Sequence, residues 1–331
     1  MNLSRFEEIT SHYSELRIAV VGDYSCDRYL EIDPSKEEIS IETGLPVYNV
    51  TKARAQPGAS GTVLNNLAAL GVFELWPVGF CGTDGEGYEL QRALRKLPGV
   101  QMDFFFENEG QRTFTYCKPL VMDSGNPPRE LNRLDSKNWH PTPQPLQEQL
   151  AGAVTDLARK VDAMIVLDQV DKPETGAVTP SLLAAVNDIR DQTLIIGDSR
   201  RGVRNWPDII YKMNVAELTR LTGQTEELAK EASSQLARET GQPVFVTLAQ
   251  TGIIGADPSG EIEHRPALPV QGEIDIVGAG DAVTANLTTA LASGAQIGES
   301  LELSNAAASV VIHKLGTTGT ASTSQIQAKL D

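Results

Sequence analysis

The sequence predicts an α/β protein built on a doubly wound, mostly parallel sheet with a small β-flap lid, and three observations lead there. Continuous apolar runs, "RIAVVGD" (17–23), "VDAMIVLD" (161–168), "TLIIGD" (193–198) and "PVFVTL" (243–248), read as strands buried on both faces. Helical-period segments separate them, among them 181–190 and 226–239. Two stretches rich in β-branched and aromatic residues, 39–54 and 112–121, break that alternation. They are expected to pair as a flap over the sheet edge, within lid segments at about 30–56 and 111–121.

In chain order, "RIAVVGD" holds four consecutive apolar residues and stops at Gly22. "SGTVLNNLAALG" (60–71) then sets Val63, Leu64, Leu67 and Leu70 at helical spacing, with Gly71 as the C-cap. "LWPVGF" (75–80) is the next strand and "YELQRALRKL" (88–97) the next amphipathic helix. Residues 122–145, dense in Pro, Asn and Asp, are expected to form a long irregular loop, and "ADPSGEIEH" (256–264) a hairpin turn. There is no internal repeat, and residues 1–331 are expected to form one domain. In such sheets ligands bind outside the carboxyl ends of the strands, which makes Asp23, Asp168, Asp198 and Thr247 site candidates as a group.

Composition narrows the function classes. The formal net charge is −16, from 44 acidic and 28 basic residues, which argues against nucleic-acid or anionic-membrane partners. A small anionic ligand remains compatible, since helix N-termini and a few cationic side chains suffice to hold one. The three cysteines, Cys26, Cys81 and Cys117, form no CxxC pair, and the four histidines show no zinc-ligand spacing. The N-terminal stretch carries acidic residues and no apolar signal core, and no apolar run is long enough to span a bilayer. A cytoplasmic protein is expected.

The most informative stretch is "IDIVGAGDAV" (274–283). A dinucleotide fingerprint fails because the third glycine position is Val283, and no GxxxxGK[ST] occurs anywhere. A plain strand-to-helix turn explains one glycine and a capping Asp281. A phosphate cradle explains more: Gly278, Ala279 and Gly280 let backbone amides approach an anion at the start of the helix "AVTANLTTALASG". Asp281 beside them is expected to stay ionised near neutral pH and to accept a proton from an attacking hydroxyl. The amides would stabilise charge on the transferred group.

Read as D-x-x-G-A-G-D, Asp275 to Asp281 resembles the C-terminal motif of the ribokinase-like family of carbohydrate kinases. The resemblance runs along nearly the whole chain. "VVGDYSCDRYL" is similar to the family's first strand, which makes Asp27 the sugar-contacting aspartate. "PGASGTVLNNLAALG" resembles the substrate motif, with Gly58 and Asn66 matching, and "VGFCGTDGEG" (78–87) the following strand and turn. "MNVAEL" (213–218) carries the family's N-x-x-E as Asn214 and Glu217, "VTLAQTGI" (246–253) the nucleotide strand with Thr247 and Gly252, and "NAAASVV" (305–311) the helix beside the adenine, starting at Asn305. Within the family the chain resembles most the heptose 7-phosphate kinase branch, through "GDYSCDRYL", "NRLD" (132–135) and "NAAASVVIHKLGT" (305–317). That branch makes lipopolysaccharide precursors and is often fused to an adenylyltransferase. No HxGH-like motif is present, so the kinase part alone is expected.

The resemblance implies an ATP-dependent kinase with Mg²⁺ organised by Glu217 through water, a monovalent cation such as K⁺ near Asp275, and a homodimer formed through the flap. Asp281 would be the base, residues 278 to 280 the anion hole, Asp27, Gly58 and Asn66 the sugar contacts, and Arg133 and Asp135 contacts to a sugar phosphate. The chain departs from the pattern at Gly58-Ala59, where the family has Gly-Gly, at Thr62, at Val277, and at "DQVDKPETG", where the branch has D-Y-x-K-G. Simpler readings stand beside these roles. Asn214 and Glu217 also make a capping box, Arg133 and Asp135 a loop ion pair, Arg200 and Arg201 surface charges, and Asp23 and Asp168 caps of strand-end turns. Kinases of ribose, fructose or nucleosides, and a non-catalytic sugar- or nucleotide-binding protein on the same fold, are the alternatives.

Overall fold

Strand β1 (Arg17–Gly22) shows why the sheet is buried on both sides. Ile18 and Val20 point into one apolar layer, Ala19 and Val21 into the other, as the two-residue period of a strand requires. The computed structural model describes all residues except 124, 126, 317 and 331. The expected loop at 122–145 includes the first two of these, and the segment 305–317 ends on the third; those positions lie outside the described residues.

The main sheet has nine strands in the order β16-β15-β14-β13-β12-β11-β1-β6-β7. Besides β1 these are β6 (Glu74–Gly82), β7 (Phe105–Asn108), β11 (Ala163–Asp168), β12 (Leu194–Ser199), β13 (Ile210–Asn214), β14 (Val244–Thr247), β15 (Ile253–Ala256) and β16 (Ile262–Arg265). Neighbours from β7 to β14 pair in parallel, and the expected hairpin at 256–264 supplies the antiparallel edge, β15 with β16. Two of these strands have no counterpart in the sequence reading. In β13 the buried Lys212 interrupts the apolar run, and β7 is only four residues long.

Helices cover both faces. One layer is packed by α1 (Leu3–Ser11), α2 (Ser60–Leu70), α3 (Gly85–Leu94), α8 (Ala279–Ala292), α9 (Ile297–Val311) and α10 (Thr323–Leu330). The other is packed by α4 (Gln144–Leu157), α5 (Pro180–Ile189), α6 (Val215–Thr222) and α7 (Ala229–Thr240). The expected helix at 88–97 begins earlier, at Gly85, because Asp84 caps it by accepting the Gly87 N–H at 2.9 Å. Among the described residues no helix is long and apolar enough to cross a membrane.

The flap is a second sheet, ordered β10-β8-β2-β5, from β2 (Tyr24–Ile32), β5 (Val50–Ala59), β8 (Phe114–Val121) and β10 (Leu134–Ser136), with β9 (Arg129–Glu130) paired to β8. A two-stranded ribbon, β3 (Glu38–Ile39) with β4 (Pro46–Val47), extends it. The expectation that 39–54 pairs with 112–121 is corrected here. Strand β2 lies between them, antiparallel to β5 and parallel to β8, so the flap starts at Tyr24 rather than near residue 30. Its charges hid it: Arg28 pairs with Glu86 and Glu89, and Glu31 with Arg54, so a polar stretch forms a central strand. The loop expected at 122–145 also holds the short β9 and β10 and the start of α4.

Candidate active site

Helix α8 begins at the glycine loop. Gly278, at φ 84°, occupies the N-cap position in a left-handed conformation that glycine adopts without strain. The first N–H groups of a helix have no intrahelical acceptor. The Ala279 N–H turns back to Ile276 O at 3.2 Å, whereas those of Gly278 and Gly280 have no acceptor among the described residues. The amides left free to meet an anion are therefore those of the two glycines, with Ala279 bracing the turn. Asp275 braces the approach: its Oδ1 accepts from Val277 N at 3.0 Å, and its own N–H donates to Ile312 O at 2.8 Å.

Asp281 lies in the first turn of α8. Burial pushes its carboxyl up to about 7, Lys212 pulls the other way, and Asp198 adds to the rise. This corrects the expectation that dipole and amides alone keep it ionised at neutral pH: desolvation outweighs them. Beside it lies a group absent from the sequence reading. The buried Lys212 donates to Asp198 Oδ2 at 2.7 Å, Thr284 Oγ1 donates to the same oxygen at 3.4 Å, and a Cβ on Gly280 would stand 3.3 Å from Lys212 Nζ. Burial pulls the Lys212 ammonium down, but Asp198, Asp281 and Glu217 together raise it above its usual value, so it stays charged. A lone lysine inside the apolar run 209–213 was the available signal.

The flap supplies the opposite wall. Asp27 is buried on β2, accepts from Ser25 Oγ at 3.2 Å, and has Lys118 Nζ at 3.9 Å. Burial pushes its carboxyl up, against the pull of Lys118 and Ser25. Gly58, paired with Ser25 across β2 and β5, is required by close approach: a Cβ there would collide with Asp27 Oδ1 and Ser25 Oγ. Tyr116 sits opposite both Asp27 and Asp135 in the flap register, and the Arg133 guanidinium lies over its ring at 5.1 Å while donating to Asp135 at 2.8 Å. Arg200, itself exposed, favours the charged forms of both Asp27 and Asp281. Asn66 lies one turn along α2 from Thr62, whose Cγ2 would stand 3.7 Å from a Cβ on Gly278. It is fully buried in α2, its Nδ2 donating to Thr62 O at 2.9 Å while its Oδ1 has no partner among the described residues.

Toward the other side, Asn214 and Glu217 form the reciprocal capping box of α6, with bonds of 2.9 and 2.8 Å. Burial pushes the Glu217 carboxyl up. Thr247 pairs with Asn214 across β13 and β14, and its hydroxyl donates to Met213 O at 3.5 Å. Gly252 lies in the turn before β15, directly against Arg265 O. Asn305 donates to Arg265 O and Pro266 O at 3.0 and 3.2 Å, anchoring the segment that leaves β16. Asp23 and Asp168 both make the contacts expected of residues that cap strand-end turns. Asp23 accepts three backbone N–H groups, from Gln169, Val170 and Ala177, and Asp168 is held by Ser199 and Arg201.

Among the described residues no three acidic, histidine or cysteine side chains converge into a metal cluster. Mg²⁺ that arrives on substrate phosphates needs only one or two carboxylates and keeps its waters. Glu217, with one oxygen left outside its capping box, fits that demand.

A profile of the pfkB family of carbohydrate kinases matches residues 17–324, covering both sheets and the α8 loop. The chain belongs to the pfkB carbohydrate kinase family. Its members transfer a phosphoryl group to a sugar hydroxyl, so this chain is a phosphotransferase of that class. The bifunctional protein HldE of Azorhizobium caulinodans is 31% identical over 304 residues, 91% of this chain and 61% of that protein. HldE of Paramagnetospirillum magneticum is 29% identical over 304 residues, 91% of this chain and 60% of its own length. The pfkB domain thus spans about three fifths of the length of the curated relatives it matches. In fold it is similar to Arabidopsis thaliana ribokinase complexed with ribose and ATP (TM-score 0.68, 21% identity, 96% and 99% of the two chains). It is equally similar to Escherichia coli phosphofructokinase-2 in complex with fructose-6-phosphate (TM-score 0.71, 18%, 95% and 97%) and in complex with potassium (TM-score 0.72, 20%, 95% and 97%).

Proposed function

We propose that this pfkB kinase transfers the γ-phosphoryl group of ATP to a hydroxyl of a heptose 7-phosphate or a close sugar phosphate. The observation that carries the reading is Asp281 in the first turn of α8, beside the free Gly278 and Gly280 amides and the Lys212–Asp198 pair. Asp27, on the flap, orients the acceptor. Asp281 takes the proton of the attacking hydroxyl, whose oxygen bonds to the γ-phosphorus as the bond to the leaving ADP oxygen breaks. The glycine amides and Lys212 meet the charge that spreads over the transferred group. Mg²⁺, bound with the nucleotide, neutralises phosphate charge, and Glu217 would hold its waters; Asp275 would contribute to a monovalent cation site. Arg200, Lys118 and Arg133, gathered around Asp27, support an acceptor that already carries a phosphate. The HldE relatives at 26–31% identity point to a heptose within that class.

Thr247, Gly252 and Asn305 would line the nucleotide side. Exposed apolar residues of the flap, Ile39, Ile41, Leu45 and Tyr48, support a homodimer through that sheet. Three free, buried cysteines accord with a reducing cytoplasm.

The test is ATP consumption with a panel of heptose, hexose and pentose phosphates and the free sugars. The expected result is turnover with a sugar phosphate and a kcat lowered by about 10²- to 10⁴-fold in Asp281→Asn. Nucleotide binding with no acceptor-dependent turnover would instead favour a binding protein on this fold.

A further inference from the structure

A cavity of about 650 Å³ opens at the β11 and β12 ends, between α5 and the loop 201–207. Its size falls in the range of about 300 to 1,000 Å³ usual for small-molecule sites. None of Asp27, Arg200, Lys212 and Asp281 lines it, whereas both members of the Asp168–Arg201 ion pair, 2.9 Å apart, do.

Its lining is unusual in kind. Trp206 forms one wall, backed so closely by β12 that a Cβ on Gly197 would lie 3.0 Å from its six-membered ring. The same cavity is lined by planar polar side chains: Asn187, Asn205, Glu174 and Arg204. Arg204 donates to Leu221 O at 3.1 Å and has no acidic partner among the described residues. Arg201 is already neutralised by Asp168, so Arg204 is the cation the cavity leaves uncompensated. Glu174 and Asn205 both hold left-handed backbone, φ 62° and 63°, outside glycine. Such conformations persist where the surroundings over-determine them, and they gather at ligand sites. Pro173 and Glu174 also belong to "DQVDKPETG", the stretch the catalytic reading left without a role.

We propose that this cavity is a second binding site for a sugar phosphate. The electron-rich face of Trp206 receives the polarised C–H face of the sugar ring. Asn187, Asn205 and Glu174 offer the mixed acceptors and donors that several hydroxyls demand, and Arg204 takes the phosphate. A wholly anionic ligand would be opposed by Glu174, and a neutral apolar one would draw nothing from the four exposed polar side chains; a sugar phosphate engages them all.

The experiment uses sedoheptulose 7-phosphate as probe and calorimetry on the full chain carrying Asp27→Asn, which weakens the catalytic site. Binding is expected to persist in that background and to fall by about tenfold or more when Arg204→Ala is added. Ala184→Trp, on the exposed face of α5 that lines the cavity, fills the space without touching the core and is expected to have the same effect. Unchanged thermal midpoints verify that both variants fold. No binding in the Asp27→Asn protein, or binding that neither added change weakens, overturns the site. Catalysis does not enter the measurement, so a failure of the kinase assignment would appear separately, as absent ATP turnover in the unsubstituted chain.

Discussion

Asp281 is subject to two opposed influences, burial and the Lys212 charge, and burial prevails. Because kcat/KM reports the free enzyme, its acid limb is expected near pH 7, rising as Asp281 ionises. In Lys212→Met that limb moves to higher pH, a shift read directly from pH–rate profiles. Stability has the opposite sense. The folded value lies above the roughly 3.9 of an unfolded aspartate, so the native state binds more protons between about 4 and 7. Asp281 therefore contributes stability that is complete below about pH 4 and lost as pH rises through about 7; Asp23, pushed up to about 6 by burial and Asp168, acts in the same direction. Urea midpoints measured across that range should fall with pH, less steeply in Asp281→Asn. Glu217 separates two roles that coincide in one residue. Glutamine can still accept the Asn214 N–H, so Glu217→Gln should leave stability within about 0.5 kcal/mol while raising the Mg²⁺ concentration needed for half-maximal rate.

At the scale of elements, the proposed sugar contact of Asp27 depends on how closely β2 and β5 approach. Gly58 lets the Asp27 carboxylate lie over the β5 backbone, and the added methyl of Gly58→Ala has no free space. Overpacking of this kind costs about 1–3 kcal/mol. The variant is expected to show a lower thermal midpoint and a raised KM for the sugar with the KM for ATP little changed, since β13, β14 and α6 are untouched. Equal loss toward both substrates would place Gly58 in general packing instead.

For the whole molecule, the flap presents apolar side chains to solvent while its inner face holds Asp27. Ile41 is fully exposed, and Ile39 and Leu45 are more than half exposed. Large apolar side chains exposed so close together in the chain support the proposed interaction surface. Sedimentation of the native chain should give a dimer, and Ile41→Lys should shift it toward monomer with the fold intact. A native monomer would sink the flap interface. Because β2 runs straight on from β1, the dimer and the sugar wall would share one mechanical unit.

How much of this was legible in the sequence depended on whether the signal was local. Apolar runs determined β1, β11, β12 and β14, since strands buried on both faces must be apolar throughout. The glycine loop determined the start of α8 and the position of Asp281, since backbone sterics and helix geometry act within a few residues. The charged groups were not local. Strand β2 and β13 became visible only when Arg28, Glu31 and Lys212 found partners from distant segments, which turns polar residues into permissible interior ones. Likewise the sequence by itself named a carboxylate beside a phosphate cradle, and only the tertiary structure decided its protonation. That depends on how much water the surrounding elements exclude and on where Lys212 and Asp198 come to rest, and chain spacing encodes neither.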